Sequence, residues 1–237
     1  MKYLNFANQV TNSSKQEIVI TLIDLSPSMD YDDWKPTRKD GAIKANIELM
    51  KIKARYHPQD ELGIIGFSGS AKVLHSPVRL GDGINSLQRA LKNASGSGGT
   101  NFTAALELAE AQLFAKKPKS SSGFFSKLLS EIIYEPENST TQKTRQYQGS
   151  TAKRIIMLTD GEYNQGGSPI PVASRLKKAG VIIDCIGIGG SPGDVDEELL
   201  KEIASCNPDG SIRYCFIGDQ QELLRKYETL AHHIKIA

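Results

Sequence analysis

From residue 17 onward the chain alternates short, nearly unbroken apolar runs with longer stretches whose apolar residues return every three or four positions. The first pattern is that of strands and the second that of helices. Their regular succession predicts βα units wound into a mostly parallel sheet with helices on both faces, an α/β fold. Strands are expected at residues 17–24, 61–68, 71–75, 153–160, 181–187 and 211–216, and helices at 40–56, 82–93, 102–116, 169–179, 194–205 and 220–234. Ile18, Val19, Ile20, Leu22 and Ile23 form so continuous an apolar run that the first strand should be central, covered on both sides. Only Gly69 and Ser70 separate the second and third strands. That is too short for a parallel crossover, so an antiparallel hairpin is expected at one edge. Ile43, Ile47, Met50 and Ala54 mark the expected buried stripe of one helix, and Leu223, Leu224, Tyr227 and Leu230 that of another.

Residues 117–151 break the alternation with Ser, Thr, Gln and Lys and read as an insertion within one domain spanning 1–237. Inside it Phe124, Phe125, Leu128, Leu129, Ile132 and Ile133 recur at the spacing of a helix face, which predicts an amphipathic helix over 123–134. Such a helix could fold back on its own domain, dock another protein or lie on a membrane surface. The mixed charges Lys127, Glu131 and Glu135 speak against the membrane, where a basic polar face is expected. Deleting Lys119–Ser150 should leave the fold intact, and a large drop in melting would show that the Phe124–Ile133 stripe belongs to the core.

Composition narrows the function classes. A chain of 237 residues with 39% apolar content can fill a sizeable core, and 29 Lys plus Arg against 27 Asp plus Glu is too balanced for a nucleic-acid binder. No run reaches the ~18 apolar residues of a membrane span, and the amino-terminal residues lack the plan of a secretory signal, so a cytoplasmic protein is expected. Three cysteines do not make a disulfide framework. Cys185 lies in an apolar run and should pack as a small hydrophobe. Cys206 and Cys215 flank the turn-like Asn207-Pro208-Asp209-Gly210, where a bridge or mere proximity are both open. His57, His75, His232 and His233 have no metal or triad spacing and read as surface or boundary residues.

The chemistry concentrates where strands end. The first strand runs into Asp24-Leu25-Ser26-Pro27-Ser28, with oxygen side chains at alternate positions that an extended chain turns to one side. Ser95-Gly96-Ser97-Gly98-Gly99-Thr100-Asn101 leads into a helix and can bring the Thr100 hydroxyl to the same crevice, and a later strand ends in Asp160-Gly161. In an open α/β sheet the carboxyl ends of the strands form the ligand crevice. Two carboxylates and three hydroxyls, with no His or thiolate, suit a hard cation such as Mg²⁺ rather than Zn²⁺. The neighbouring Asp30-Tyr31-Asp32-Asp33-Trp34 adds carboxylates that could repel acidic partners, recruit basic ones or simply be solvated.

These residues resemble, in order, the metal-ion-dependent adhesion site of the von Willebrand factor type A (vWA) family: Asp-x-Ser-x-Ser, then a Thr, then an Asp. Asp24, Ser26, Ser28, Thr100 and Asp160 fill the five places, with Pro27 where many members have Gly. The resemblance implies a Rossmann-like sheet with Ser26 and Ser28 as direct Mg²⁺ ligands, Thr100 direct or water-bridged, and Asp24 and Asp160 holding inner waters. Mn²⁺ or Ca²⁺ would be substitutes, and a partner protein's Asp or Glu would take the open position. It further implies a protein–protein interaction module without catalysis, an intracellular scaffold or adaptor beside an ATPase or a kinase–phosphatase pair. The competing expectation is a Mg²⁺-dependent phosphoryl-transfer enzyme with Asp24 as nucleophile. Such enzymes usually carry an acid-base Asp two residues on, and Ser26 stands there. The loop Gly187–Gly193 does not fit Gly-x-Gly-x-x-Gly, and Gly96–Thr100 lacks the Gly-Lys ending of a P-loop.

Overall fold

The computed structural model describes residues 16–115 and 151–232; the insertion and its expected helix at 123–134 lie outside them. The chain builds β1 (Glu17–Asp24), α1 (Arg38–Tyr56), β2 (Glu61–Phe67), β3 (Ala71–Arg79), α2 (Leu80–Lys92), α3 (Phe102–Phe114), β4 (Ala152–Thr159), α4 (Ile170–Lys178), β5 (Val181–Ile188), α5 (Glu197–Ile203), β6 (Tyr214–Ile217) and α6 (Gln220–Leu230). One six-stranded sheet runs β3-β2-β1-β4-β5-β6, all neighbours parallel except the β2–β3 hairpin. β1 is interior, flanked by β2 and β4, as its apolar run demands.

Alternate residues of each strand feed two cores. Val19 and Ile23 pack with α1, α2 and α6 on one face, while Ile20 and Leu22 pack with α3, α4 and α5 on the other. Burial on both faces explains why the strand segments read as continuous hydrophobic runs.

Several boundaries differ from expectation for local reasons. β3 extends to Arg79 and accommodates Pro77 because it is an edge strand with an irregular register against β2. β6 starts at Tyr214, not 211, because Ser211 folds onto Asp209, whose Oδ1 accepts from its backbone N–H at 2.9 Å and its hydroxyl at 2.6 Å. α5 starts at Glu197 under an Asp196 cap, after a short 3₁₀ turn at Pro192–Asp194. The stripe of α1 is also rotated. Ala42, Ala45, Leu49 and Met50 are buried, whereas Ile43, Ile47 and Ala54 sit at the margin, since α1 is embraced by the sheet together with α2 and α6. Leu223, Tyr227 and Leu230 are buried as expected and Leu224 is marginal. Cys185 is buried, and Cys185, Cys206 and Cys215 are all free thiols. Among the described residues no helix is long and apolar enough to cross a membrane.

Candidate metal centre

The carboxyl ends of β1 and β4 lie side by side in the sheet, and the loop between α2 and α3 folds over them. β1 delivers Asp24, and the backbone then turns into a 3₁₀ helix at Pro27–Asp30, with Pro27 in its first position. Asp24 Oδ1 accepts the backbone N–H of Ser26 at 2.8 Å, and Asp24 Oδ2 accepts the Thr159 hydroxyl at 2.5 Å. The Ser26 and Ser28 hydroxyls are 3.1 Å apart, and Ser28 Oγ donates to Asp160 Oδ1 at 2.8 Å. Four of the five sequence-predicted residues are therefore joined in one chain of contacts.

Thr100, the fifth, arrives from the glycine loop. Gly96 permits this because the loop presses onto β1's exit: a Cβ on Gly96 would come within 2.7 Å of the Leu25 carbonyl oxygen. Asn164 then clasps Thr100, its Oδ1 accepting the Thr100 N–H at 2.8 Å and its own N–H donating to the Thr100 carbonyl at 3.2 Å. Asn101 caps α3 by accepting from Ala104 N–H, which fixes the loop's exit. Thr100 is 3% exposed.

Gly161 reports how closely the oxygens converge. A Cβ built there would stand 3.3 Å from Thr100 Oγ1 and 3.9 Å from both Asp24 Oδ2 and Ser28 Oγ. Oxygens from two segments, the β1 exit and the glycine loop, thus lie within 4 Å of one point at the β4 exit, where residue 161 has no side chain. A pocket of about 400 Å³ opens over it, lined by Ser28, Thr100, Asp160, Gly161, Glu162 and Arg38 among others. The donors fit a hard divalent cation, since all are hydroxyl or carboxylate oxygens. Among the described residues no three His, Cys, Asp or Glu side chains gather as a metal cluster, so a soft-metal site has no support in the donor set.

Electrostatics point the same way. Burial pushes the Asp24 carboxyl up to about 6, against the lowering effect of the Thr159 and Ser26 hydrogen bonds. Burial also raises Asp160, opposed by the bonds from Ser28 and Arg38. Asp33, with the Arg38 guanidinium bonded to it, is held below the usual carboxylate range. Arg38 is a residue that sequence reasoning missed, as are Thr159 and Asn164. Its side chain is 6% exposed, and its Nη1 bonds Asp160 Oδ2 at 3.1 Å while Nη2 bonds Asp33 at 2.6 Å and Asp194 at 3.3 Å. Three carboxylates share one guanidinium, with Asp24 close by, so the centre carries an excess of negative charge that a divalent ion would offset. A faint signal existed: Arg38 opens α1, where the helix dipole disfavours a cation. In the acidic run beside the site Asp30 pairs with Lys39 and Asp32 with Lys35, while Asp33 shares Arg38 with Asp160 and Asp194.

An open, mostly parallel α/β sheet with helices on both faces defines the Rossmann-like class, in which ligand crevices lie at the carboxyl ends of the strands. The von Willebrand factor type A domain family model matches residues 19–226, and the chain belongs to that family. Domains of this family generally serve protein–protein interaction and often use a divalent metal. Similar solved structures include a von Willebrand factor type A protein from Catenulispora acidiphila, 18% identical at a TM-score of 0.63, covering 92% of this chain and 42% of that one. The vWA domain of SpRpn10 is 19% identical at 0.61, covering 90% and 93%. Proximal thread matrix protein 1 from the mussel byssus, in a form described as having a zinc-occupied MIDAS motif, is 18% identical at 0.60, covering 92% and 48%. At these identities the likeness establishes the fold, and the chain spans less than half the length of the Catenulispora and byssus proteins. Among curated proteins none matches the chain.

Proposed function

We propose that this chain is a metal-dependent interaction module in which Ser26, Ser28 and Thr100 hold Mg²⁺ directly or through water, with Asp24 and Asp160 bonding its inner waters. Mn²⁺ or Ca²⁺ would substitute. The observation that carries this reading is the convergence of Thr100, Asp24 and Ser28 oxygens beside Gly161. Bound there, the ion would supply an electrophilic position for an Asp or Glu side chain of a partner protein. The chain's own part is to fix the hydroxyls, exclude bulk from beneath them and keep the pocket open for the visitor.

A non-catalytic role is favoured by the state of Asp24. Both of its oxygens accept hydrogen bonds, and Ser26 stands where a phosphoryl-transfer enzyme would need its acid-base carboxylate. We place the protein in the cytoplasm as a scaffold or adaptor acting beside an ATPase or a kinase–phosphatase pair, and take residues 1–237 as one domain with an insertion at 117–151.

The test is thermal unfolding in Mg²⁺ against metal-free buffer. Ligand at ten times its dissociation constant adds about 1.4 kcal/mol, so melting should rise by roughly 3–6 °C. Asp160→Ala should abolish the rise and, in Mg²⁺-containing pulldowns, the capture of acidic partners. An unchanged melting point in saturating Mg²⁺ and Mn²⁺ would exclude the metal centre, and Mg²⁺-dependent hydrolysis of a phosphate ester that Asp24→Asn removes would establish the enzyme instead.

A further inference from the structure

Toward the amino ends of the strands, a second pocket of about 480 Å³ opens between the sheet, the turn before β6 and the last turns of α6. Arg154, near the start of β4, precedes Asp160 by about six extended residues, which places this pocket roughly 20 Å from the metal centre. Its lining includes Arg154, Arg213, Lys226 and His232, with Asp184 and Asp209 as the carboxylates.

The two arginines are locked by one shared acid. Arg154 Nε donates to Asp184 Oδ2 at 2.7 Å and Arg213 Nη1 to Asp184 Oδ1 at 3.1 Å. Arg154 Nη1 also bonds the Leu230 carbonyl at 2.9 Å, which occupies the carbonyl that would otherwise turn the negative end of α6 toward the pocket. Asp209 is committed to Ser211 within its own turn. After these bonds Arg154 Nη2, and Nε and Nη2 of Arg213, have no partner among the described residues. Arg154 is only 2% exposed and lines the pocket. The uncommitted N–H groups, with Lys226 beside them, describe a prearranged receptor for an oxyanion.

We propose that this pocket binds the phosphate group of a small phosphorylated molecule, independently of the metal centre. Phosphate is favoured because fixed guanidinium N–H pairs match its oxygens, and because three cations, Arg154, Arg213 and Lys226, face two acids in the lining. A pocket of this size admits the phosphate together with a sugar-sized group.

The test uses the full chain stripped of divalent ions on chelating resin, titrated calorimetrically with inorganic phosphate, pyrophosphate and, as a carboxylate control, citrate, with ionic strength matched by NaCl. Saturable phosphate and pyrophosphate binding is expected in the millimolar range or tighter, weakened about tenfold or more in Arg213→Gln/Lys226→Gln. Both positions are half-buried, and circular dichroism of the double variant establishes that it is folded. Asp24→Asn should bind as the parent does. The assignment is overturned by absence of saturable binding, by equal binding to the folded double variant, by citrate binding as tightly as pyrophosphate, or by loss of binding in Asp24→Asn, which would move the anion to the other end of the sheet.

Discussion

The two ends of the sheet handle buried charge in opposite ways. At the amino end Lys53, fully buried, donates at 2.7 Å to both Glu17 and Asp60, and Asp184 binds Arg154 and Arg213. At the carboxyl end Asp24 is held by hydroxyl and amide donors alone, and Arg38 is spread over three carboxylates. Where acids and cations match in number, Glu17, Asp60 and Asp184 against Lys53, Arg154 and Arg213, the charges serve the fold. Where the acids outnumber the cations, the folded chain keeps an excess of negative charge that a bound cation would offset, which is why the proposed metal centre falls at the second end.

Removing Lys53 should break the amino end most severely. Lys53→Met leaves Glu17 and Asp60 buried together and should cost about 3–5 kcal/mol in chemical denaturation, with the Mg²⁺ response preserved. A loss below about 1 kcal/mol would mean the cluster is not structurally paired. Arg38→Gln tests the residue that straddles both behaviours. Stability of the metal-free protein should fall by about 2–4 kcal/mol, and saturating Mg²⁺ should restore part of it, because the ion replaces the lost positive charge beside Asp160.

Asp24→Asn should act in the opposite direction. The folded carboxyl titrates at about 6 against an ordinary 3.8, so the native state retains a proton that the unfolded chain has already lost. That contribution to stability is fully present below pH 4 and is lost as pH rises through 6. In metal-free buffer at pH 7.5 the Asn variant should therefore exceed the parent by about 1–3 kcal/mol, the gap closing toward pH 4, while its Mg²⁺ response disappears. A variant destabilised at neutral pH would refute this account of Asp24. The smallest effect on the fold should come from Gly161→Ala. Its methyl group enters the space shared by Thr100, Asp24 and Ser28, so Mg²⁺ affinity should drop about tenfold or more while metal-free stability changes by under about 1 kcal/mol. Unaltered affinity would move the ion elsewhere.

Much of this was legible in the chain. The apolar runs of β1, β4 and β5 announced strands buried on both faces, and the two-residue link Gly69-Ser70 announced the edge hairpin. Asp24, Ser26, Ser28, Thr100 and Asp160 were readable because each lies at a strand end or helix entry that local pattern marks. Thr159, Asn164 and Arg38 were not. Each acts through a partner 64 to 135 positions away in sequence, and no local period encodes such a pairing.

By itself the sequence determined the element order, the sheet class and the oxygen donors available at one rim, because hydrophobic period and turn chemistry are local properties of a chain. Only the tertiary structure decided which helix face is buried, which carboxylates share Arg38, that Gly161 leaves room for three oxygens to meet, and that Asp184 locks two arginines around a second pocket. Those outcomes depend on distances between segments far apart in sequence, which are set when the sheet and its two helical layers pack together.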